Sequence, residues 1–399
     1  MAAAGTVESI KAAPTRSGDG TPASGGFLVR DRLTLERLLP GLDERLSEHD
    51  LLDLEGPASE AVELFRAAGG PGLLVPAAHS GHGASALEAV RVQRAVASRS
   101  PSLAVASTMH HFSVATLIEL GRRSQGFEWM LLKAVATKNK LMSSGFAEGR
   151  PGQGILRPYL RAERTASGYR VSGTKKPCSL STSMDLLTAS LTVPSETGDE
   201  LAVAIIPADS PGITCQPFWG NRILAGAQSH EVILDDVEVP EALVVKSGYG
   251  DDGSVRELEA AGLLWFELLI TASYLGAASG LVERVLIGDR GRPEDQAIVA
   301  TELEGAACAL EGVARAMDSG ELDEHALARG LFTRYLVQGA VARSATLAAE
   351  LLGGMSFIRS EEVTYLVAAC QALPFHPPSR LSMASPLVDY LRGEPLRVV

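Results

Sequence analysis

Cysteine is scarce in this chain of 399 residues: Cys178, Cys215, Cys308 and Cys370 stand far apart, with no CxxC spacing. That excludes a zinc ribbon and a CxxC redox pair, and leaves reduced thiols in a cytoplasmic protein as the expectation. Histidine is sparse too, eight in all, with one adjacent pair, His110-His111, and no HExxH, so no metal site is expected. Basic runs are missing: the net charge is −12 and no stretch offsets it, which argues against nucleic acid as a partner. Residues 1–26 are rich in Ala, Gly, Ser, Thr and Pro, lack the apolar core of a signal peptide, and read as a flexible leader. No short-period repeat occurs, and no G-x-G-x-x-G follows a strand-like run. One run, GLLWFELLITASYLGAASGL at 262–281, is long and apolar enough to tempt a membrane reading. Glu267 sits inside it, and a carboxylate in mid-bilayer is costly, so a buried core helix is expected and no membrane partner.

What the chain does have is apolar material for a large core: 46% of residues are hydrophobic and 21% charged. Its length implies two or three subdomains. From 27 to 140, runs such as EAVELFRAAG and ALEAVRVQRAVASRS repeat apolar residues at i, i+3 and i+4, which predicts an N-terminal helical domain. From 141 to 245 the pattern shifts to short β-branched alternations such as LAVAIIPAD and HEVILDDVEVP, which predict a middle antiparallel β domain. From 246 to 399 three long helical runs and a fourth, SEEVTYLVAACQAL, predict a C-terminal four-helix bundle. LPFHPPSR at 373–380 ends the fourth, because Pro374, Pro377 and Pro378 cannot continue a helix; His376 lies at the break.

This α+β order resembles the acyl-CoA dehydrogenase family of flavoproteins over roughly residues 30 to 380. GGPGLLVPAAHSGHGAS, GNRILAGAQSHEVILDDVEVPEALVV and AAELLGGMSFIRSEE resemble three of its segments in the family's order. The resemblance implies an FAD cofactor and a homodimer or homotetramer. It also implies cofactor contacts. FAEGRPGQG stands where the family has Thr-Glu-Pro-x-x-Gly-Ser, which assigns Phe146, Ala147, Gly152 and Gln153 to the flavin and keeps Glu148. KKPCSLS stands where it has Trp-Ile-Thr-Asn, so Pro177 replaces the aromatic shield, Cys178 follows it, and Ser179 keeps a hydroxyl near the flavin. GDRGRPEDQ offers Arg290 or Arg292, with Gln296, to a neighbouring subunit's FAD, where a solvated charge run is the other reading. Gly353 and Gly354 match the paired glycines late in the bundle, with Glu350 in place of a Gln.

The family removes an α proton with a Glu in a Tyr-Glu-Gly segment, and there this chain has His376 and Pro377. The usual base is absent. A minority of the family takes its base from the first bundle helix, within one residue of Glu267, which is also the only charge between Gly262 and Leu281. Burial there would raise its pKa toward a useful range. Glu267 as base, Glu267 as a structural carboxylate, and His376 as an alternative base all stand at this point.

The leading functional expectation is therefore an FAD-dependent acyl-thioester dehydrogenase, acting on acyl-CoA or an acyl carrier protein, with Glu267 as base. A flavin-dependent monooxygenase on the same fold is the alternative, since such relatives lack the Tyr-Glu-Gly base and open space beside the flavin for activated oxygen. A degenerate member that holds flavin poorly is the third.

Overall fold

Among the described residues the chain enters a helix at once, as its 3.6-residue periodicity requires. The computed structural model describes residues 26–123, 126–150, 158–196, 198–246 and 257–399, so the predicted leader, save its last residue, lies outside them. The first helices are α1 (Val29–Leu38), α2 (Leu42–Ser47), α3 (Leu51–Glu55), α4 (Ala61–Ala67), α5 (Ala86–Arg99), α6 (Pro101–Arg123) and α7 (Glu128–Thr137). Helix α5 opens on a capping box in which Ser85 and Glu88 satisfy each other's backbone N–H groups. Helix α6 opens on Pro101, and the buried carboxylate of Glu55 meets its free N-terminal donors, accepting from the Ser102 N–H at 3.1 Å and from both the Ser100 and Ser102 hydroxyls at 2.6 Å. The Tyr365 hydroxyl also donates to Glu55 and accepts from the Leu224 N–H at 2.8 Å.

The strands are β1 (Met142–Gly145), β2 (Ala162–Arg164), β3 (Gly168–Cys178), β4 (Leu186–Ser195), β5 (Gly198–Pro207), β6 (Ile213–Gln216), β7 (His230–Pro240) and β8 (Val244–Lys246). They form two four-stranded sheets, ordered β1-β4-β5-β8 and β2-β3-β7-β6. Period-two alternation puts Leu187, Leu191 and Val193 of one sheet against Tyr169, Val171 and Val239 of the other, in a core of their own. The antiparallel expectation holds for five pairings and fails for one: β1 runs parallel to β4. The chain leaves β1, builds β2 and β3 in the opposite sheet, and returns as β4, which is the long crossover that a parallel pair needs.

Helices α8 (Glu257–Ile287), α9 (Pro293–Asp318) and α10 (Glu324–Leu352) follow, then α11 (Gly354–Arg359), α12 (Glu361–Ala369) and α13 (Ala384–Leu391). The fourth bundle helix, expected to be long, is the 9-residue α12. Gly353, at φ 84°, stops α10 in a conformation that side-chain-bearing residues rarely adopt, and Ser360 caps a fresh start. Helix α8 is long and apolar enough to cross a bilayer by length and composition, yet 94% of its most apolar stretch is buried in the fold. It is apolar on all sides because helices surround it: α5, α6, α9, α10 and α12 all pack on it. Gly276 lets α8 lie close to α5, since a Cβ there would stand 2.4 Å from the Arg94 carbonyl oxygen. One continuous apolar core joins the first helices to the last ones.

Candidate functional site

A cavity of about 830 Å³ lies where α6, α8 and the turn after α12 meet the two-sheet unit. Helix α6 presents one stripe to it, Val105, Met109, Phe112 and Thr116, and α8 presents Gly262, Phe266 and Tyr274. Three aromatic rings continue one another along the wall: Phe146 lies 5.5 Å from Phe112, and Phe112 lies 5.7 Å from Phe266, both edge to face.

Opposite these rings the β unit supplies polar groups. The hydroxyls of Ser179 and Ser229 are 2.9 Å apart, because Cys178 is the register partner of His230 and carries both serines to the same strand ends. Ser143 donates to the Ser179 carbonyl at 2.6 Å and fixes that corner. Pro177 and Ser179 face the cavity, whereas Cys178 between them points into the inter-sheet core, where burial pushes its thiol up to about 12. Phe146 and Ala147 line the cavity as well. Glu148 holds their loop in place: it pairs with the buried Lys175 at 2.7 Å and accepts from the Tyr159 and Leu160 N–H groups at 3.0 Å. Burial raises its pKa, but these bonds outweigh that and keep it below the usual glutamate value. Gly152 and Gln153 lie outside the described residues.

His376 reaches the cavity and Glu267 does not. The imidazole Nε2 is 2.8 Å from the Tyr274 hydroxyl, and burial, reinforced by the nearby Arg334 charge, lowers its pKa to about 3. It is therefore neutral at ordinary pH. Glu267 turns from α8 toward α10 and pairs with Arg334 at 2.7 Å, with both side chains 1% exposed. Burial pushes its carboxyl up, to about 7, against the pull of Arg334. A carboxylate bound to a guanidinium and facing away from the cavity is not placed to take a proton from a substrate there.

Arg290, Arg292, Gly353 and Gly354 line no part of the cavity. Arg292 pairs with Asp295 at 2.9 Å on an exposed loop, and the glycines join α10 to α11. Tyr274, Ser229, Phe112 and Arg334 were not anticipated. Tyr274 had a signal, since it stands two helical turns after Glu267 on α8; Arg334, 67 residues away from Glu267, had none.

The cavity fits a flavin in its donor set and shape. Apolar rings on one side suit a flat heteroaromatic system, and the serine pair can both give and accept hydrogen bonds at its edge. Arg150, stacked on Tyr159 at 4.6 Å, stands in the wall with positive charge for a phosphate, whereas Lys176 beside it is paired with Glu231 at 2.9 Å.

No family model matches the chain. Over 371 residues it is 49% identical to isobutylamine N-hydroxylase of Streptomyces viridifaciens, covering 92% of this chain and 98% of that protein. The nitrososynthase from Micromonospora carbonacea var. africana superposes with a TM-score of 0.77 at 20% identity, over 92% of this chain and 96% of that one. KijD3, in complex with FMN and dTDP-3-amino-2,3,6-trideoxy-4-keto-3-methyl-D-glucose, also gives 0.77, at 18% identity over 92% and 94%. The fold is thus that of acyl-CoA dehydrogenase-like flavoenzymes. Within it, this chain belongs to the family of isobutylamine N-hydroxylase, flavoprotein oxidoreductases.

That kinship corrects the leading expectation. The relative oxidises an amine nitrogen, so α,β-dehydrogenation of an acyl thioester, with Glu267 as its base, is set aside. N-hydroxylation, the reaction named for that relative, removes no proton from carbon, and the missing Tyr-Glu-Gly base is compatible with it.

Proposed function

We propose that this protein is a flavin-dependent monooxygenase that hydroxylates the nitrogen of a small aliphatic primary amine. The observation that carries the reading is the 49% identity with isobutylamine N-hydroxylase, sustained over 92% of the chain. FMN is the flavin we propose in place of the expected FAD, because KijD3, on the same fold, is seen with FMN. When bound, a reduced flavin activates molecular oxygen, one atom of which passes to the substrate nitrogen while the other leaves as water.

The residues of the chain do the rest. Val105, Met109, Ala368 and Ala372 give the cavity an apolar surface for a short alkyl group. Nitrogen attacks oxygen through its lone pair, so the amine must be a free base, and an apolar enclosure favours that neutral form. Neutral His376, braced by Tyr274, offers the amine a hydrogen bond without adding charge. Phe112, Phe146 and Phe266 exclude water, which keeps activated oxygen from being lost as hydrogen peroxide.

The test is to supply the purified protein with enzymatically reduced FMN, oxygen and short primary amines, and to follow the hydroxylamine by mass spectrometry. Hydroxylamine formation in step with flavin oxidation is the expected outcome. Oxidation that yields hydrogen peroxide alone with every amine of up to about six carbons would sink the reading.

A further inference from the structure

Pro374, Pro377 and Pro378 give the turn after α12 little means of bracing itself, since three of its residues have no N–H. Its carbonyls are held from outside. Arg334 on α10 donates through Nη2 to the carbonyls of His376 and Leu373, the latter at 3.3 Å, and through Nη1 to Pro377 O at 3.4 Å. The next residue, Tyr335, donates to Pro378 O at 3.0 Å. A planar guanidinium fork suits this work, because it presents several donors in one rigid geometry.

An arginine 0% exposed needs a counter-charge, and Glu267 supplies it at 2.7 Å. Helix α8 therefore grips the turn at two points. Glu267 acts through Arg334 on the backbone of His376, and Tyr274 acts directly on its ring. Backbone and ring are both fixed, which leaves the imidazole one orientation at the cavity wall.

We propose that Glu267 is a positioning residue: by holding Arg334 it fixes the 373–378 turn, and so sets the place of the His376 ring in the cavity. The proposal rests on the amine-hydroxylase reading for its catalytic consequence, and on the geometry alone for the position of the ring. Glu267 thereby keeps a role in the reaction without meeting the substrate.

Two variants test it. Glu267→Gln combined with Arg334→Met removes the buried charges as a unit and leaves no unpaired charge, while the Leu373, His376 and Pro377 carbonyls lose their donor, so a cooperative melt somewhat below that of the wild type is expected. The yield of hydroxylamine per reduced flavin should still fall, by on the order of 10²-fold for a ring displaced by about 1 Å, with hydrogen peroxide taking its place. Adding His376→Ala to that pair should cost nothing more, since both changes remove the same placed ring. Arg334→Lys keeps a charge opposite Glu267 but has no fork to span the carbonyls, and serves where the double variant fails to fold; it should lose yield likewise. The flavin-free protein gives an independent readout: the His376 ¹⁵N resonances report its bond to Tyr274, and should shift in both variants. Unshifted resonances, or a folded variant with the yield of the wild type, overturn the proposal. If the wild type itself makes no hydroxylamine, the amine-hydroxylase reading falls, and the resonances alone decide the placement of the ring.

Discussion

Tyr274 and His376 meet at 2.8 Å across 102 residues of sequence, and their bond ties the central helix to the turn that closes the cavity. His376→Ala is expected to lower hydroxylamine formation by on the order of 10²-fold. Tyr274→Phe, which removes only the bracing hydroxyl, should cost several-fold, in keeping with one hydrogen bond of about 1 kcal/mol. With its pKa lowered to about 3, His376 changes charge only in strong acid. The imidazole's own titration should therefore put no break in the rate profile between about pH 6 and 9. A break near pH 7 that disappears in His376→Ala would report Glu267, whose carboxyl burial raises to about 7 and which acts through that ring, and steady-state measurement across the range checks both.

The serine pair makes a separate prediction. Ser179→Ala or Ser229→Ala leaves the partner hydroxyl without its 2.9 Å bond and alters the polar edge offered to a flavin. Each is expected to weaken FMN binding by up to about tenfold, and the double variant by little more than either, because the two hydroxyls act as a unit. Equilibrium titration followed by flavin fluorescence measures both effects.

His111 is a buried liability. It lies edge-on to Phe65 at 5.7 Å, neither ring nitrogen has a partner among the described residues, and burial lowers its pKa well below the ordinary value of 6.5. The unfolded chain thus binds a proton that the folded chain refuses. Below pH 6.5 the imbalance costs stability, at about 1.4 kcal/mol per pH unit. His111→Leu should raise stability at pH 7 by about 1 to 3 kcal/mol and flatten the acid side of the profile. Neighbouring His110, lowered to about 4 but bonded to the Pro71 carbonyl and the Met142 N–H, should keep its own share of the acid sensitivity. Urea unfolding at pH 7 and pH 5 separates the two.

Gly276 sets the spacing between α8 and α5. A Cβ there would meet backbone, the Arg94 carbonyl oxygen at 2.4 Å, and helix backbone cannot yield as a flexible side chain does. Gly276→Ala is expected to destabilise by about 1 to 3 kcal/mol despite the better helix propensity of alanine, read by calorimetry.

The sequence told most where local pattern and packing agree. Glu267 within an apolar run argued against a membrane span, and α8 is indeed buried on all sides. Ser179 and His376, singled out by the family resemblance, both line the cavity. The direction of Glu267 was hidden, because a helix position fixes a face only once its neighbours are known, and Arg334 comes from another helix. Cys178 failed for a simpler reason: strand alternation turns it away from the face that Pro177 and Ser179 share. The reaction itself was the least legible. Loss of the Tyr-Glu-Gly base fits a dehydrogenase with a relocated carboxylate as well as an enzyme that removes no proton from carbon, and only kinship across the whole chain separates them.

The bond between Glu55 and Tyr365 joins residues 310 apart and, through the Leu224 N–H, draws in a loop on the cavity wall. Loop closure over such a span is slow compared with local helix formation. During synthesis the early helices and the paired sheets can be complete while Tyr365 is still untranslated. The cavity is then the last part of the molecule to close, so a chain interrupted before its final helices leaves that wall unbuilt.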